Sequence, residues 1–340
     1  MNILVTGSEG FIGGYVVQEL LNKGHKVIGV DNLSKYGGIT RTFDKSSNYQ
    51  FINGDVQDVS LMKELMSNAD HVIAGAALIG GISYFHTYAY DLLAKNERII
   101  ASTCDAAIAT MQAGGPLKKV TYLSSSMVFE NTDRWPSIEG EERLIAPPMS
   151  SYGFQKLAVE YFAKAAWDQY QLPYTILRPF NCVGIGERRA LGDVEIPSGN
   201  VKLAMSHVVP DIIQKILKGQ DPVHILGDGS QVRHYTYGGD LARGVVLAME
   251  SNKALNEDFN LSTAESTTVM ELVDLIWKKI NPNKSLHIIH DQGFEYDVAK
   301  RIPSVEKAKR MLNFEATTSL DTMLDEVIPW IKEMISQKWI

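Results

Sequence analysis

Cysteine is scarce: Cys104 and Cys182 are the only two in 340 residues. They lack metal-type spacing, so a disulfide scaffold and a zinc site are both poorly supported and a reducing compartment fits. Cationic excess is missing too. A net charge of −7 and a pI near 5.7 leave no broad basic surface, which argues against nucleic-acid binding through many phosphate contacts. No apolar run is long enough to span a bilayer, because the longest weakly polar stretch, His71 to Phe85, is broken by Gly75, Gly80 and Gly81. No basic, apolar leader precedes the first apolar run, so the expectation is a cytoplasmic protein with neither membrane nor nucleic acid as partner. Repeats and low-complexity tracts are absent. What remains is a chain with 45% apolar residues, long enough for one large or two medium domains.

The start of the chain is its most informative stretch. Asn2 to Val5 is a short apolar run of strand type, and Thr6-Gly7-Ser8-Glu9-Gly10-Phe11-Ile12-Gly13 turns it into a helix with apolar positions at Phe11, Ile12, Val16, Val17, Leu20 and Leu21. Lys26 to Val30 then reads as a second buried strand ending at Asp31. Glycine turns before helices are common, but here strand, loop, helix and acid come in the order that dinucleotide binding requires. Gly7 permits the tight turn, Gly10 lets a pyrophosphate approach the backbone, and Gly13 lets helix and strand pack closely. The free N–H groups of the helix start, around Phe11 and Ile12, face the phosphates. Asp31 accepts from the adenosine ribose hydroxyls and repels a 2′-phosphate, which favours NAD over NADP.

Further strands are expected at Tyr49 to Ile52, His71 to Ala77, Lys119 to Leu123 and Tyr174 to Arg178, with helices at Ser60 to Ala69, Tyr90 to Ala113 and Tyr152 to Gln169. This rhythm predicts an α/β fold, a Rossmann-type doubly wound parallel sheet with ligands beyond the carboxyl ends of its strands. Asp55 and Val56 fall where the third strand reaches the adenine, although Asp55 could equally cap the next helix; Ala76, at the end of the fourth strand, leaves room for a flat cofactor. Beyond Pro179 the pattern changes to a long charged loop from Gly184 to Asn200 and helices near Met205 to Lys218, Val269 to Ile280, Ser304 to Leu312 and Leu320 to Ser336. The expected division is a cofactor domain over 1–180, with 237–250 returning to it, and a smaller C-terminal substrate-binding domain over 181–340.

Tyr152 and Lys156 stand four apart, on one face of a helix. A nearby ammonium would favour the phenolate, so Tyr152 could take a proton from a substrate hydroxyl while a hydride leaves the same carbon. Lys156 would also hold the nicotinamide ribose. Ser125, at the end of the preceding strand, supplies the hydroxyl that such chemistry needs beside the reacting oxygen. The catalytic set is therefore Ser125, Tyr152 and Lys156.

Together the chain resembles the extended short-chain dehydrogenase/reductases of the NAD-dependent nucleotide-sugar epimerase/dehydratase family. The resemblance rests on Thr6-Gly7-x-x-Gly10-x-x-Gly13, Asp31-Asn32-Leu33-Ser34, Asp55-Val56, Ala76-Ala77, Asn96, Ser124-Ser125-Ser126, Tyr152-x-x-x-Lys156, Arg178-Pro179-Phe180-Asn181, Gly227 to Arg233 and Asp240-Leu241-Ala242. It implies NAD as cofactor, no metal, Asn32 and Asn96 among the cofactor contacts, and a nucleotide-diphosphate sugar held by Gly81, Ser126, Asn181, His207, Arg233 and Arg301. His207 could act as an acid, contact the nucleotide or simply pack, and Arg301 could be an ordinary surface charge. A homodimer built on the helices Tyr90 to Ala113 and Tyr152 to Gln169 is also implied. Resembling 4,6-dehydratases carry Asp-Glu where this chain has Ser126-Met127, and resembling 3,5-epimerases have cysteine at Met127; a thioether exchanges no protons. That leaves epimerisation at C4 through a transient 4-keto intermediate, an isomerase reaction. The alternatives are a dehydratase, a net dehydrogenase or a non-catalytic NAD-binding protein.

Overall fold

The structure, a computed structural model, describes residues 1–79, 88–191, 196–203, 207–293 and 298–340. The strands β1 (Asn2–Thr6), β2 (Lys26–Asp31), β3 (Tyr49–Asn53), β4 (His71–Ala74), β5 (Lys119–Leu123), β6 (Tyr174–Pro179) and β7 (Glu257–Leu261) form one sheet in the order β7-β6-β5-β4-β1-β2-β3, every pair parallel. Most strand side chains are buried on both faces, as near-continuous apolar runs such as Ile3-Leu4-Val5 require. The Rossmann-type sheet expected from the rhythm is present. Glu257–Leu261, to which the sequence pattern assigned no strand, adds the far edge.

Nine helices are described: α1 (Phe11–Asn22), α2 (Val59–Met66), α3 (Ala89–Gln112), α4 (Ser151–Tyr170), α5 (Val208–Leu217), α6 (Gly238–Glu250), α7 (Val269–Ile280), α8 (Glu306–Leu312) and α9 (Leu320–Ser336). On one face α2, α3 and α4 bury Met62, Met66, Ile100, Ala107, Val159 and Ala163 against the sheet. On the other, α1 and α6 pack Val16, Leu20, Val245 and Met249 into a core that also takes Phe259 of β7. A separate core joins α5, α7 and α9 through Ile213, Leu272, Ile276 and Leu324. The first turns of α2 and α4 are closed by Asp58 and Ser150, and α7 carries a reciprocal Thr268–Glu271 capping box. Within the stretch from Gly184 to Asn200, expected as loop, Ile196–Ser198 pairs antiparallel with Val201–Leu203.

The chain leaves β1 toward β3 at one edge and returns at β4 on β1's other side, so strand order reverses between β1 and β4. At that crevice Thr6 Oγ1 accepts the N–H groups of Gly75 and Ala76, both at 3.1 Å, which keeps the two strand ends together. In open parallel sheets a ligand sits at such a reversal.

Candidate active site

Gly7 has φ +73° and donates its N–H to Val30 at 2.9 Å, so the chain turns sharply off β1 without a side chain to clash with Ala76. At Gly13 a Cβ would lie 2.0 Å from the Gly7 carbonyl, so only glycine brings helix and loop this close. Gly10 caps α1 with no side-chain hydrogen bond, so its first-turn N–H groups at Phe11 and Ile12 are left to an incoming acceptor. Asp31 takes the N–H of Leu33 at 2.8 Å and of Glu9 at 3.1 Å; burial raises its pKa and these two bonds oppose the rise. Asn32 donates to Asp55 at 3.4 Å, and the other Asp55 oxygen accepts the N–H of Gln57 at 2.9 Å. Asp58, not Asp55, caps α2. Val56 is buried and its carbonyl accepts Ser102 Oγ. These residues fit NAD: an open helix start for the pyrophosphate, a glycine cradle that a Cβ would fill, and a carboxylate at the end of β2. Asn96 is buried on α3 and exchanges two hydrogen bonds with the Leu78 backbone, 2.7 and 2.9 Å, which shapes the loop after β4.

Ser125, Tyr152 and Lys156 come together at the end of β5. Ser125 opens a short 3-10 turn over Ser126–Phe129 by accepting the Met127 N–H at 3.2 Å, and its hydroxyl is hydrogen-bonded to the Tyr152 phenol. Lys156 Nζ donates to the Leu123 carbonyl at 2.9 Å and lies 5.9 Å from the centre of the Tyr152 ring. The expected effect of the lysine on the phenol is corrected here. Burial raises the Tyr152 pKa, and the groups opposing the rise are Ser125 and Arg301 rather than Lys156. Burial also brings the Lys156 ammonium down to about 8. Met127 is buried in one apolar cluster with Tyr152 and Leu92, so the group packed there is a thioether, which exchanges no protons.

The substrate-side residues divide. Ser126, Phe129, Phe180, Val298 and Arg301 line one narrow cleft. Arg233, which does not line the cleft, is tied to the Arg301 segment through backbone: Arg301 donates its N–H to Val232, and Arg233 Nη1 donates to the carbonyls of Val232 and Ala299. Asn181 has φ +36° and donates its amide to the His234 carbonyl at 3.3 Å. His207 caps α5 and pairs through Nδ1 with the buried Glu187, whose pKa is lowered because the imidazole outweighs burial. Gly81 lies outside the described residues.

Spacing within motifs passed over one group of charges. Arg178 is fully buried and grips Glu160 with two bonds of 2.7 and 2.6 Å, with Asp258 at 2.8 Å and Glu142 at 3.1 Å. Glu160 also accepts Ser124 Oγ at 2.7 Å, so this cluster holds the segment that carries Ser125. Its signal was available: Tyr152, Lys156 and Glu160 repeat at intervals of four on one helix. Among the described residues no group of three His, Cys, Asp or Glu could hold a metal ion, and no helix is long and apolar enough to cross a membrane.

The chain is similar to known proteins over nearly its whole length. The chain is 29% identical to a UDP-glucose 4-epimerase of Halalkalibacterium halodurans, over 98% of this chain and 96% of that protein. It is 28% identical to a UDP-N-acetyl-alpha-D-glucosaminuronate decarboxylase of Bacillus cytotoxicus, over 97% and 98%. Among solved structures, the UDP-glucose 4-epimerase of Thermotoga maritima with UDP-glucose superposes with a TM-score of 0.80 at 30% identity, covering 98% of this chain and 100% of that one. The model of the NAD dependent epimerase/dehydratase family matches residues 3–262, which contain the glycine loop, the Ser125–Tyr152–Lys156 group and the strand that closes the sheet, and the chain belongs to that family.

Proposed function

We propose that the chain is an NAD-dependent epimerase of a nucleotide-diphosphate sugar, acting at C4. The observation that carries this reading is the pairing of one proton carrier, Tyr152 with Ser125, with an apolar neighbour, Met127. Elimination of water needs a second acid or base beside the first; epimerisation at a hydroxyl-bearing carbon does not. The 4-epimerases among its relatives support the same choice.

NAD, when bound, supplies the acceptor for the hydride leaving C4 and the donor that returns it. Tyr152 takes the proton of the 4-hydroxyl and returns it to the same oxygen after the 4-keto sugar has turned over in the pocket, so that the hydride comes back to the opposite face of C4, and Ser125 holds the sugar oxygen and the phenol in one line. Lys156, fixed on Leu123 and short of charge stabilisation, orients the phenol and the ribose. Gly7, Gly10, Phe11, Ile12, Gly13, Asp31, Asn32, Asp55, Val56 and Ala76 hold the cofactor, with Asn96 setting the loop beside it. Asn181, Arg233 and Arg301 take the diphosphate, for which forked guanidinium groups are suited, Ser126 faces the sugar, and Gly81 and His207 border the nucleotide. In this division 1–180, with 237–250 returning to it, bears the cofactor and the rest of 181–340 the sugar nucleotide.

A homodimer through α3 and α4 is part of the reading. Tyr161 and Phe154 are exposed on α4, Tyr90 is exposed on α3, and one oxygen of the half-buried Glu97 is enclosed there without a hydrogen-bond partner among the described residues. The two free thiols fit a cytoplasmic location.

The test is incubation with UDP-, GDP-, dTDP- and CDP-sugars, following product mass and NADH absorbance together. An isomer of unchanged mass without accumulated NADH is expected; loss of water or steady NADH would refute epimerisation. Tyr152→Phe should abolish turnover, by at least about a thousandfold, and spare NAD binding.

A further inference from the structure

Glu9 lies between Gly7 and Gly10 in the glycine loop, and its surroundings differ from those of a simple turn residue. Its N–H is bonded to Asp31, which sets it beside the carboxylate assigned to the adenosine ribose. Its side chain, 6% exposed, accepts Tyr49 Oη at 2.9 Å and lies 3.6 Å from Arg41 Nε. Arg41 in turn donates from Nη2 to the carbonyls of Glu9 and Gly10, at 2.7 and 3.1 Å, and gives its own N–H to Asp44 at 2.7 Å. A residue larger than glycine at position 14 would strike the guanidinium at 2.8 Å, so the arginine lies flat on the start of α1. Two carboxylates, Glu9 and Asp31, thus act on one guanidinium at the ribose end of the cofactor site, while Asp44 anchors the backbone of the same arginine.

We propose that Glu9 is a second determinant of NAD over NADP: it holds Arg41 against the loop and so withholds from a 2′-phosphate the cation that could bind it. A 2′-phosphate brings a charge of about −1.5 to −2 and needs a guanidinium fork turned toward it. Here Nη2 of the nearby fork is spent on two carbonyls and its Nε faces Glu9 at 3.6 Å, and Asp31 and Glu9 add repulsion. The ribose diol of NAD suits the same place because its hydroxyls donate to Asp31. Asp31 alone does not account for the choice. Neutralising it removes one repulsive charge but leaves Arg41 held, and only loss of the Glu9 charge as well lets the guanidinium turn outward.

The inference rests on the reading of this loop as an NAD site, and titration calorimetry of the full chain with NAD and with NADP tests both separately. Asp31→Asn/Glu9→Gln should bind NADP at least tenfold more tightly than Asp31→Asn, with NAD affinity within threefold between the two. Adding Arg41→Ala to the double variant should cancel the gain, and the gained affinity should weaken as salt rises. Equal NADP affinity for the single and double variants overturns the proposal, whereas a wild-type chain that binds neither nucleotide overturns the NAD reading itself. Arg41→Ala alone, which keeps Glu9 and Asp31, gives an independent check if the double variant does not fold. It should change NAD affinity less than threefold, and a loss of tenfold or more would make Arg41 an NAD ligand and sink the proposal.

Discussion

Replacing Arg178 by methionine tests whether the buried charge cluster both stabilises the sheet and holds the serine segment. The guanidinium is fully buried; burial works against its charge, and Glu160, Asp258 and Glu142 more than offset this, so its pKa is raised. In Arg178→Met the buried Glu160 keeps Lys164 at 3.9 Å and the Ser124 hydroxyl, Glu142 keeps Lys164 at 3.7 Å and the half-exposed Arg143 at 3.5 Å, and Asp258 keeps Lys307 at 2.7 Å. Removing one member of such a cluster leaves poorly compensated buried charge and costs about 4 kcal/mol, or about 6 °C in Tm for a chain of this size. Acid titration gives a second readout. Burial would raise the Asp258 pKa, but Arg178 and Lys307 hold it down at about 2. A carboxylate depressed on folding contributes stability above its unfolded value near 3.9, about 2 kcal/mol here, and loses it as pH falls toward 2. The gap between wild type and variant should therefore narrow as pH drops from about 4 to about 2. Because Glu160 accepts Ser124 Oγ, kcat should fall more than KM changes. A Tm loss under about 2 °C in circular-dichroism melts, together with unchanged kcat, would refute the argument.

Lys156→Met should make the cofactor-free protein more stable while abolishing turnover. The folded lysine titrates near 8 against an ordinary 10.5, so its charge costs about 3 kcal/mol below pH 8 and nothing above pH 10.5; after about 1 kcal/mol for the lost bond to Leu123, a net gain of about 2 kcal/mol remains at pH 7 and shrinks by pH 10. A Tm that falls at pH 7 would contradict this. Gly13→Ala forces a Cβ to 2.0 Å from the Gly7 carbonyl, and NAD affinity measured by calorimetry should drop at least tenfold. Tyr161→Glu, on the exposed face of α4, should convert a dimer into a monomer by light scattering; a wild-type mass equal to one chain would remove the dimer proposal.

Much of this could be read from residues alone, because the relevant signals are local. A strand, a glycine turn with fixed gaps and an acid at the next strand's end lie within thirty-one residues, and Tyr152 and Lys156 share one helix face. What escaped reading depends on distant partners. Glu257-Asp258-Phe259-Asn260-Leu261 does not resemble a buried strand, since its acids gain Lys307 and Arg178 only after folding. The pairing of Tyr152 with Lys156 was legible, but the direction of the phenol's pKa was not, because it follows from how deeply the side chain is buried. Asn181 stood out in its motif, whereas its left-handed backbone did not. The lock between Glu9 and Arg41 joins residues from the glycine loop and from a polar stretch that carries no periodic pattern.

The last strand to join the main sheet, β7, and the helix that covers α1, α6, both arrive after the chain has already built part of the second core. A polypeptide cut after residue 180 would keep the cofactor motifs yet expose the flank of Leu177 where Phe259 belongs, and the bare side of Val16 and Leu20. Neither portion can be borrowed as a free-standing module. Exchanging sugar preferences between such proteins by swapping everything beyond the sixth strand should yield insoluble chimeras unless the segment from Gly238 to Leu261 travels with its original host.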